Sequence, residues 1–201
     1  MYIDYDLLHK SQVFYEKLDY KVVETPWIVD SGIANITKPK DAPEKEMYEF
    51  SNRKFLVASG EQSFLEMFRK GYLPKGKYQT ITPCFRDDTL DEIHVKQFMK
   101  NELIITGFES SQMNYTYIEE TILKDALQFF KHWLKLCGLT NSHLTVESTG
   151  ELSINILYKG IELGSYGFRS CQYLDWLYGT GLAEPRFSQV LRRNKNYGRL
   201  S

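Results

Sequence analysis

The sequence predicts an α+β chain, a mainly antiparallel β-sheet flanked by helices. Residues 152–158 alternate, turn at Lys159-Gly160 and return through Ile161-Glu162-Leu163, the pattern of a hairpin. The other strand-like runs are joined by helices of varied length, which suits a helix-backed antiparallel sheet. No Gly-x-x-x-x-Gly-Lys loop is present, and no Gly-x-Gly-x-x-Gly opens a βαβ unit. Any nucleotide chemistry here therefore proceeds without a Walker or Rossmann phosphate loop.

The elements follow in order. Residues 6–20 read as an amphipathic helix, with Leu7, Phe14 and Leu18 at helical spacing. Lys21-Val22-Val23-Glu24-Thr25 is β-prone and stops at Pro26, which cannot donate to a ladder. The charged, proline-containing residues 38–46 are expected to form a surface loop. A short strand at 54–58 precedes a helix at 61–70, whose buried face is Phe64, Leu65 and Phe68 and whose stop is Gly71. Strands follow at 79–86 and 97–105. A long helix is predicted over 117–137, with the stripe Ile118, Ile122, Ala126, Phe130, Trp133 and Leu134 and a C-terminal stop at Gly138. The last helix is predicted to begin near Leu182 and run past Leu191.

Composition sets limits. The 201 residues suit one domain spanning 1–201. Three cysteines, Cys84, Cys137 and Cys171, form no CxxC pair and read as reduced intracellular thiols. No apolar run approaches the ~20 residues that span a bilayer, and the acidic N-terminus lacks a signal-peptide pattern. A cytoplasmic location is expected. The net charge of -1 provides no overall footprint for nucleic acid. Arg192, Arg193, Lys195 and Arg199 cluster in the tail, either as a solvated helix end or as a contact for a phosphate-bearing acceptor.

The most informative stretch is Thr82-Pro83-Cys84-Phe85-Arg86-Asp87-Asp88, followed by His94 and Phe98. Side chains alternate along a strand, so Phe98, Lys100 and Glu102 share one face. A guanidinium grips phosphate in a fork, an aromatic ring stacks on a base, and a carboxylate pairs with an amine. Each residue also has a plain reading. Arg86 fits a surface strand arginine, Phe98 a core aromatic and His94 a solvated loop residue. Glu61 fits a helix-start acid, and Glu162 a solvent-facing hairpin glutamate.

These residues resemble the catalytic core of class II aminoacyl-tRNA synthetases, most closely the seryl type, over roughly residues 6–193. Asp19-Tyr20-Lys21-Val22-Val23-Glu24-Thr25-Pro26 is similar to the first family signature, with Asp19 where glycine is usual. Thr82-Pro83-Cys84-Phe85-Arg86 and the frame Gln97-Phe98, Lys100 and Glu102 are similar to the second. Gly179-Thr180-Gly181-Leu182-Ala183-Glu184-Pro185-Arg186 is similar to the third, a glycine-rich turn into an arginine-bearing helix. There Ala183 replaces a usual glycine, and Pro185 stands where an acid is common. Glu162-Leu163-Gly164-Ser165 and Ala58-Ser59-Gly60-Glu61 match two further family loops.

The resemblance implies a class II synthetase-like core that takes ATP as substrate with Mg2+. Arg86 is then expected on the α-phosphate and Arg186 on the γ-phosphate, where free amides at a helix start also favour anions. Glu162 is expected to orient ATP directly or through Mg2+. Phe98 is expected to stack on adenine, Asp88 to contact the adenine side and His94 the outer phosphates. Gly179 and Gly181 are expected to let backbone pass close to the ligand. Ser59, Glu61 and Glu102 are expected to line the amino-acid pocket, and a small amino acid (serine, glycine or alanine) is the expected substrate. Ser59 stands where some seryl-like relatives keep a zinc-binding cysteine, so no zinc is expected. The first signature implies a homodimer.

Neither a coiled-coil arm nor an anticodon-binding domain is expected within these residues, and the loop 87–93 is expected to be shorter than the seryl loop that approaches tRNA. The expected activity is therefore formation of an aminoacyl-adenylate, with transfer to a carrier protein, protein side chain or small molecule and weak or no tRNA binding. A non-catalytic paralogue that regulates a partner, or a compact true synthetase, are the alternatives.

Overall fold

The computed structural model describes residues 2–38, 47–87 and 95–197. Helix α1 (Tyr5–Glu16) starts where the carboxylate of Asp4 accepts the Leu7 N–H at 2.9 Å. It ends short of the predicted Tyr20 because Asp19 turns the chain with φ +67°. That is the left-handed region in which glycine is easiest and aspartate tolerable. Strand β1 (Lys21–Val22) follows. Strand β2 (Ile28–Asp30), the single turn α2 (Ser31–Ala34), β3 (Glu49–Ser51) and β4 (Lys54–Leu56) make a small unit. Its three strands are ordered β2-β4-β3.

Helix α3 (Gly60–Arg69) carries the expected Phe64 and Leu65 inward, both with no exposed surface. Strands β5 (Lys77–Phe85) and β6 (Gln97–Thr106) pair antiparallel, as read from sequence. The predicted long helix is present but broken. Tyr115–Ile118 (α4) passes through a π segment, Glu119–Leu123, into α5 (Lys124–Leu136). At the break Thr121 leaves helical geometry (φ -111°, ψ -105°), and its hydroxyl donates to the Tyr117 carbonyl at 2.6 Å. A threonine that bonds its preceding turn competes with the helix ladder.

Strand β7 (Leu144–Gly150), absent from the sequence reading, is an exposed edge without apolar alternation. Strands β8 (Ser153–Tyr158) and β9 (Ile161–Cys171) are the predicted hairpin. Strand β10 (Leu174–Glu184) and helix α6 (Arg186–Tyr197) close the chain.

Here the structure corrects the sequence reading twice. Residues 179–184 are not a turn but the end of β10, paired with β6 on one side and, as far as Gly179, with β9 on the other. The last helix accordingly begins at Arg186 rather than near Leu182, with the Pro185 carbonyl accepting the Gln189 N–H at 2.9 Å. Glycines inside a strand mark close approach rather than a turn. A Cβ on Gly179 would lie 2.7 Å from Tyr166 and 2.8 Å from Ile122, and one on Gly181 would lie 2.9 Å from Tyr15.

The main sheet has the order β1-β5-β6-β10-β9-β8-β7, antiparallel except for the β1–β5 pair at one edge. Alternation sends Leu103, Ile105, Leu177 and Leu182 to one face, where Tyr15, Ile122, Phe129, Phe130 and Phe187 cover them. Ile104, Trp176 and Tyr178 point to the other face and pack with Phe64, Leu65, Val29 and Ile33. The helices α1, α5 and α6 thus contribute to one core, while α3 and the small unit contribute to the second. The second core covers only one end of its face and leaves the other end open as a cleft.

Candidate active site

Strand register builds the cleft floor. Cys84, Thr82 and Thr80 of β5 stand opposite Phe98, Lys100 and Glu102 of β6, and Glu102 in turn stands opposite Thr180 of β10. Farther along, Ile104 faces Tyr178, and Trp176 faces Arg169 of β9. The cleft has a volume of about 320 Å³. Its lining includes Ser59, Glu61, Arg86, Phe98, Lys100, Glu102, Glu162, Arg169 and Arg186.

Arg86 and Phe98 form one end. The guanidinium carbon of Arg86 lies 5.3 Å from the centroid of the Phe98 ring, and its Nε donates to the Ala58 carbonyl at 2.9 Å. One side of the cleft is Arg186, at the first turn of α6, paired with Glu162 of β9 at 2.9 Å. Asn155 donates to the other Glu162 oxygen at 3.1 Å.

The opposite end carries buried ion pairs. Gly60 lets the start of α3 press onto the sheet, since a Cβ there would meet Thr82 at 2.8 Å and Glu102 at 2.9 Å. This approach brings the Ser59 hydroxyl to the Glu102 carboxylate at 2.5 Å, while Lys100 holds its other oxygen at 2.8 Å. Glu61, also buried, takes Arg169 on one oxygen at 2.5 Å and the Trp176 indole N–H on the other at 2.6 Å. Burial pushes the Glu61 carboxyl above its usual range, against the pull of the Arg169 guanidinium. Glu61 therefore lines the cleft with both oxygens already engaged.

Several expected residues converge here: Ser59, Glu61, Arg86, Phe98, Glu102, Glu162 and Arg186 all line the one cleft. Gly179 and Gly181 do not. Their bare Cα atoms serve contacts with Tyr166, Ile122 and Tyr15, which corrects the expectation that they admit ligand; Thr180 between them lines the cleft instead. Asp88 and His94 lie outside the described residues, as does most of the predicted 38–46 loop. Sequence reasoning missed Arg169, Tyr178 and Glu184. Arg169 was visible in principle as a continuation of the β9 alternation from Ser165, but nothing local signals its partner Glu61.

Glu184 has no exposed surface, and burial lifts its carboxyl from 4.5 to about 7. Its oxygens accept the Ser188 N–H at 3.1 Å and the Asp4 N–H at 3.4 Å, which partly offsets that shift. A folded pKa above the unfolded one means that the native state holds the proton through this window. Stability from Glu184 is thus full below the unfolded value of 4.5 and is lost as pH rises through about 7. The loss amounts to about 3 kcal/mol at most. Glu184→Gln is expected to flatten this slope, as read from urea midpoints at about pH 5 and about pH 8. An unchanged slope would show that Glu184 titrates normally.

No known protein-family model and no curated protein sequence matches this chain. Solved structures do. A cytoplasmic serine-tRNA ligase from Naegleria fowleri in complex with AMP superposes with a TM-score of 0.67 at 17% identity, over 91% of this chain and 52% of that one. A seryl-tRNA synthetase from Pyrococcus horikoshii complexed with ATP gives 0.69 at 16% identity, over 94% and 49%. This chain has the fold of a class II aminoacyl-tRNA synthetase catalytic core. A pyrrolysyl-tRNA synthetase from Desulfitobacterium hafniense gives 0.68 at 15% identity, over 92% and 67%. The chain spans about half the length of the two seryl enzymes. Within the class II core described here, the cleft sits on the sheet face opposite α1 and α5. Among the described residues no helix is long and apolar enough to cross a membrane.

Proposed function

We propose that residues 1–201 form one catalytic domain that activates an amino acid with ATP. The observation that carries this reading is the convergence of Arg86 and Arg186, far apart in sequence, on one cleft that also holds Phe98 and Glu102. In the step, an oxygen of the substrate carboxylate attacks the α-phosphorus of ATP. The bond from that phosphorus to its bridging oxygen breaks, pyrophosphate leaves, and an aminoacyl-adenylate remains. No protein nucleophile is required, because alignment of the reactants and charge neutralisation suffice.

Arg86 neutralises the α-phosphate as charge builds on it, and Phe98 stacks on adenine. Arg186, in the first turn of α6, receives the γ-phosphate, and a helix start favours anions. Asp88 and His94 add contacts to the adenine side and the outer phosphates. Glu162 orients Arg186. It also suits Mg2+, which is commonly held by one or two carboxylates together with phosphate oxygens. Among the described residues no cluster of three His, Cys, Asp or Glu side chains exists, so the donor set fits Mg2+ only together with nucleotide. Bound Mg2+ would neutralise charge on the outer phosphates.

Ser59, Glu61 and Glu102 line the amino-acid end, and a small amino acid such as serine, glycine or alanine is the substrate. The acceptor is a carrier protein or small molecule in the cytoplasm rather than tRNA. Support comes from the net charge of -1, since tRNA affinity rests largely on phosphate contacts. Amino-acid-dependent exchange of pyrophosphate into ATP, screened over the twenty amino acids, tests the reading. Exchange with none of them, in pure protein with Mg2+, would support a regulatory paralogue. Charging of a total tRNA pool would instead make this a compact synthetase.

The working form is a homodimer joined through the segment from Tyr20 to Pro26. β1 is an edge strand; Val22 within it, and Trp27 and Ile28 later in the chain, are 40%, 57% and 37% exposed. Sedimentation is expected to give twice the mass of the 23.6 kDa chain, and a strict monomer at high concentration contradicts this.

A further inference from the structure

Arg169 occupies a place that adenylate formation does not by itself require. Its neighbours on β9 and β10 put it past Glu102 on the cleft floor, away from Phe98 and Arg86. On that face the order along the strands is Phe98, Lys100, Glu102, then Tyr178 opposite Ile104, then Arg169 opposite Trp176. Alternate residues of a strand stand about 7 Å apart. A ligand with its base on Phe98 and its amino-acid end at Glu102 therefore points its side chain toward Arg169.

The Arg169 guanidinium carbon lies over Tyr178, 4.3 Å from the ring centroid. Among the described residues, its only side-chain hydrogen bond is the one to Glu61, and its side chain remains 37% exposed to the cleft. A guanidinium has five N–H donors in a planar fork. Glu61, itself held by the Trp176 indole N–H, takes one of these donors and leaves the rest of the fork for a ligand.

The charge balance at this end of the cleft points the same way. Glu61 is matched there by Arg169 and Glu102 by Lys100. A substrate ammonium entering this end adds a positive charge to a set already in balance. A substrate that also brings an anionic side chain restores the balance, and in a site removed from water that matters.

We propose that Arg169, held by Glu61 and Tyr178, is a specificity-determining residue that selects a short amino-acid side chain ending in an oxygen acceptor, a carboxylate foremost. This deepens the amino-acid-activation reading and rests on it for the placement of the ligand. It departs from the small-substrate reading for alanine and glycine, which carry no such acceptor, and keeps serine, whose hydroxyl is one.

The test is calorimetric binding of aspartate, asparagine, serine, alanine and glycine to the ATP-loaded protein with Mg2+, which needs no turnover. Aspartate is expected to bind ~10–100-fold more tightly than alanine, the range for one charge-assisted hydrogen-bonded contact. Asparagine and serine should fall between them, and they separate carboxylate recognition from a general preference for oxygen. Arg169→Lys keeps a cation beside Glu61 but removes the fork, and should collapse the aspartate-to-alanine ratio at least tenfold. The double variant Arg169→Met with Glu61→Gln leaves no buried unpaired charge and should collapse it too. Equal binding of aspartate and alanine, tighter binding of alanine or glycine, or an unchanged ratio in both variants overturns the assignment. Failure of ATP itself to bind overturns the parent reading instead.

Discussion

Arg86→Ala is expected to lower amino-acid-dependent pyrophosphate exchange about 10³-fold while the fold survives, as for loss of one preorganised charge-stabilising donor. The expectation rests on where charge develops. Attack on the α-phosphorus concentrates negative charge on its equatorial oxygens, and a guanidinium already fixed against the Ala58 carbonyl and the Phe98 ring meets that charge without reorganising. The structural cost is small, because one neutral-acceptor hydrogen bond is worth about 1 kcal/mol. Urea midpoints should therefore move little. Arg86→Lys should recover only part of the rate, since an ammonium supplies charge but no bidentate fork. Exchange by the alanine variant within about threefold of the parent would remove Arg86 from the reaction, because a fixed donor of this kind is worth far more.

Glu102→Ala is expected to have the largest effect on stability. Glu102 is 1% exposed, with Lys100 on one oxygen and the Ser59 hydroxyl on the other. Removing it strands a lysine whose side chain is only 12% exposed. Breaking a buried pair in this way costs about 3–5 kcal/mol, because one charge stays buried without its counterpart. Amino-acid affinity should fall as well, while ATP affinity should hold, since Phe98, Arg86 and Arg186 are untouched. The paired variant Glu102→Leu with Lys100→Met separates the two effects. Its packing can restore stability without restoring a carboxylate for the substrate ammonium. If that double variant binds amino acid as well as the parent does, Glu102 has only a structural role.

Much of this molecule was legible because its signals are local. The β8–β9 hairpin announced itself by alternation and a Lys159-Gly160 turn, and both residues of that turn have positive φ. The inward face of α3 followed from helical spacing, and the shared face of Phe98, Lys100 and Glu102 from strand spacing. β7 escaped notice because nearly every residue in it is exposed, so no apolar alternation marks it. The break at Thr121 escaped because the apolar stripe continues through it from Ile118 to Ile122.

The glycine-rich segment 179–181 was misread for a different reason. Glycine is a turn signal when only neighbours in sequence are considered. In the folded chain the contacts that demand glycine come from Tyr15, Ile122 and Tyr166, all distant in sequence.

The sequence by itself determined the β8–β9 hairpin, the inward face of α3, the β5–β6 pair and the antiparallel, helix-backed class, since each depends on short-range periodicity. Only the tertiary structure decided which charges distant in sequence meet: Glu61 with Arg169 and Glu162 with Arg186. Those partnerships depend on strand order and register across the sheet, and on how closely Gly60 lets α3 approach, and no periodicity within a single segment encodes them.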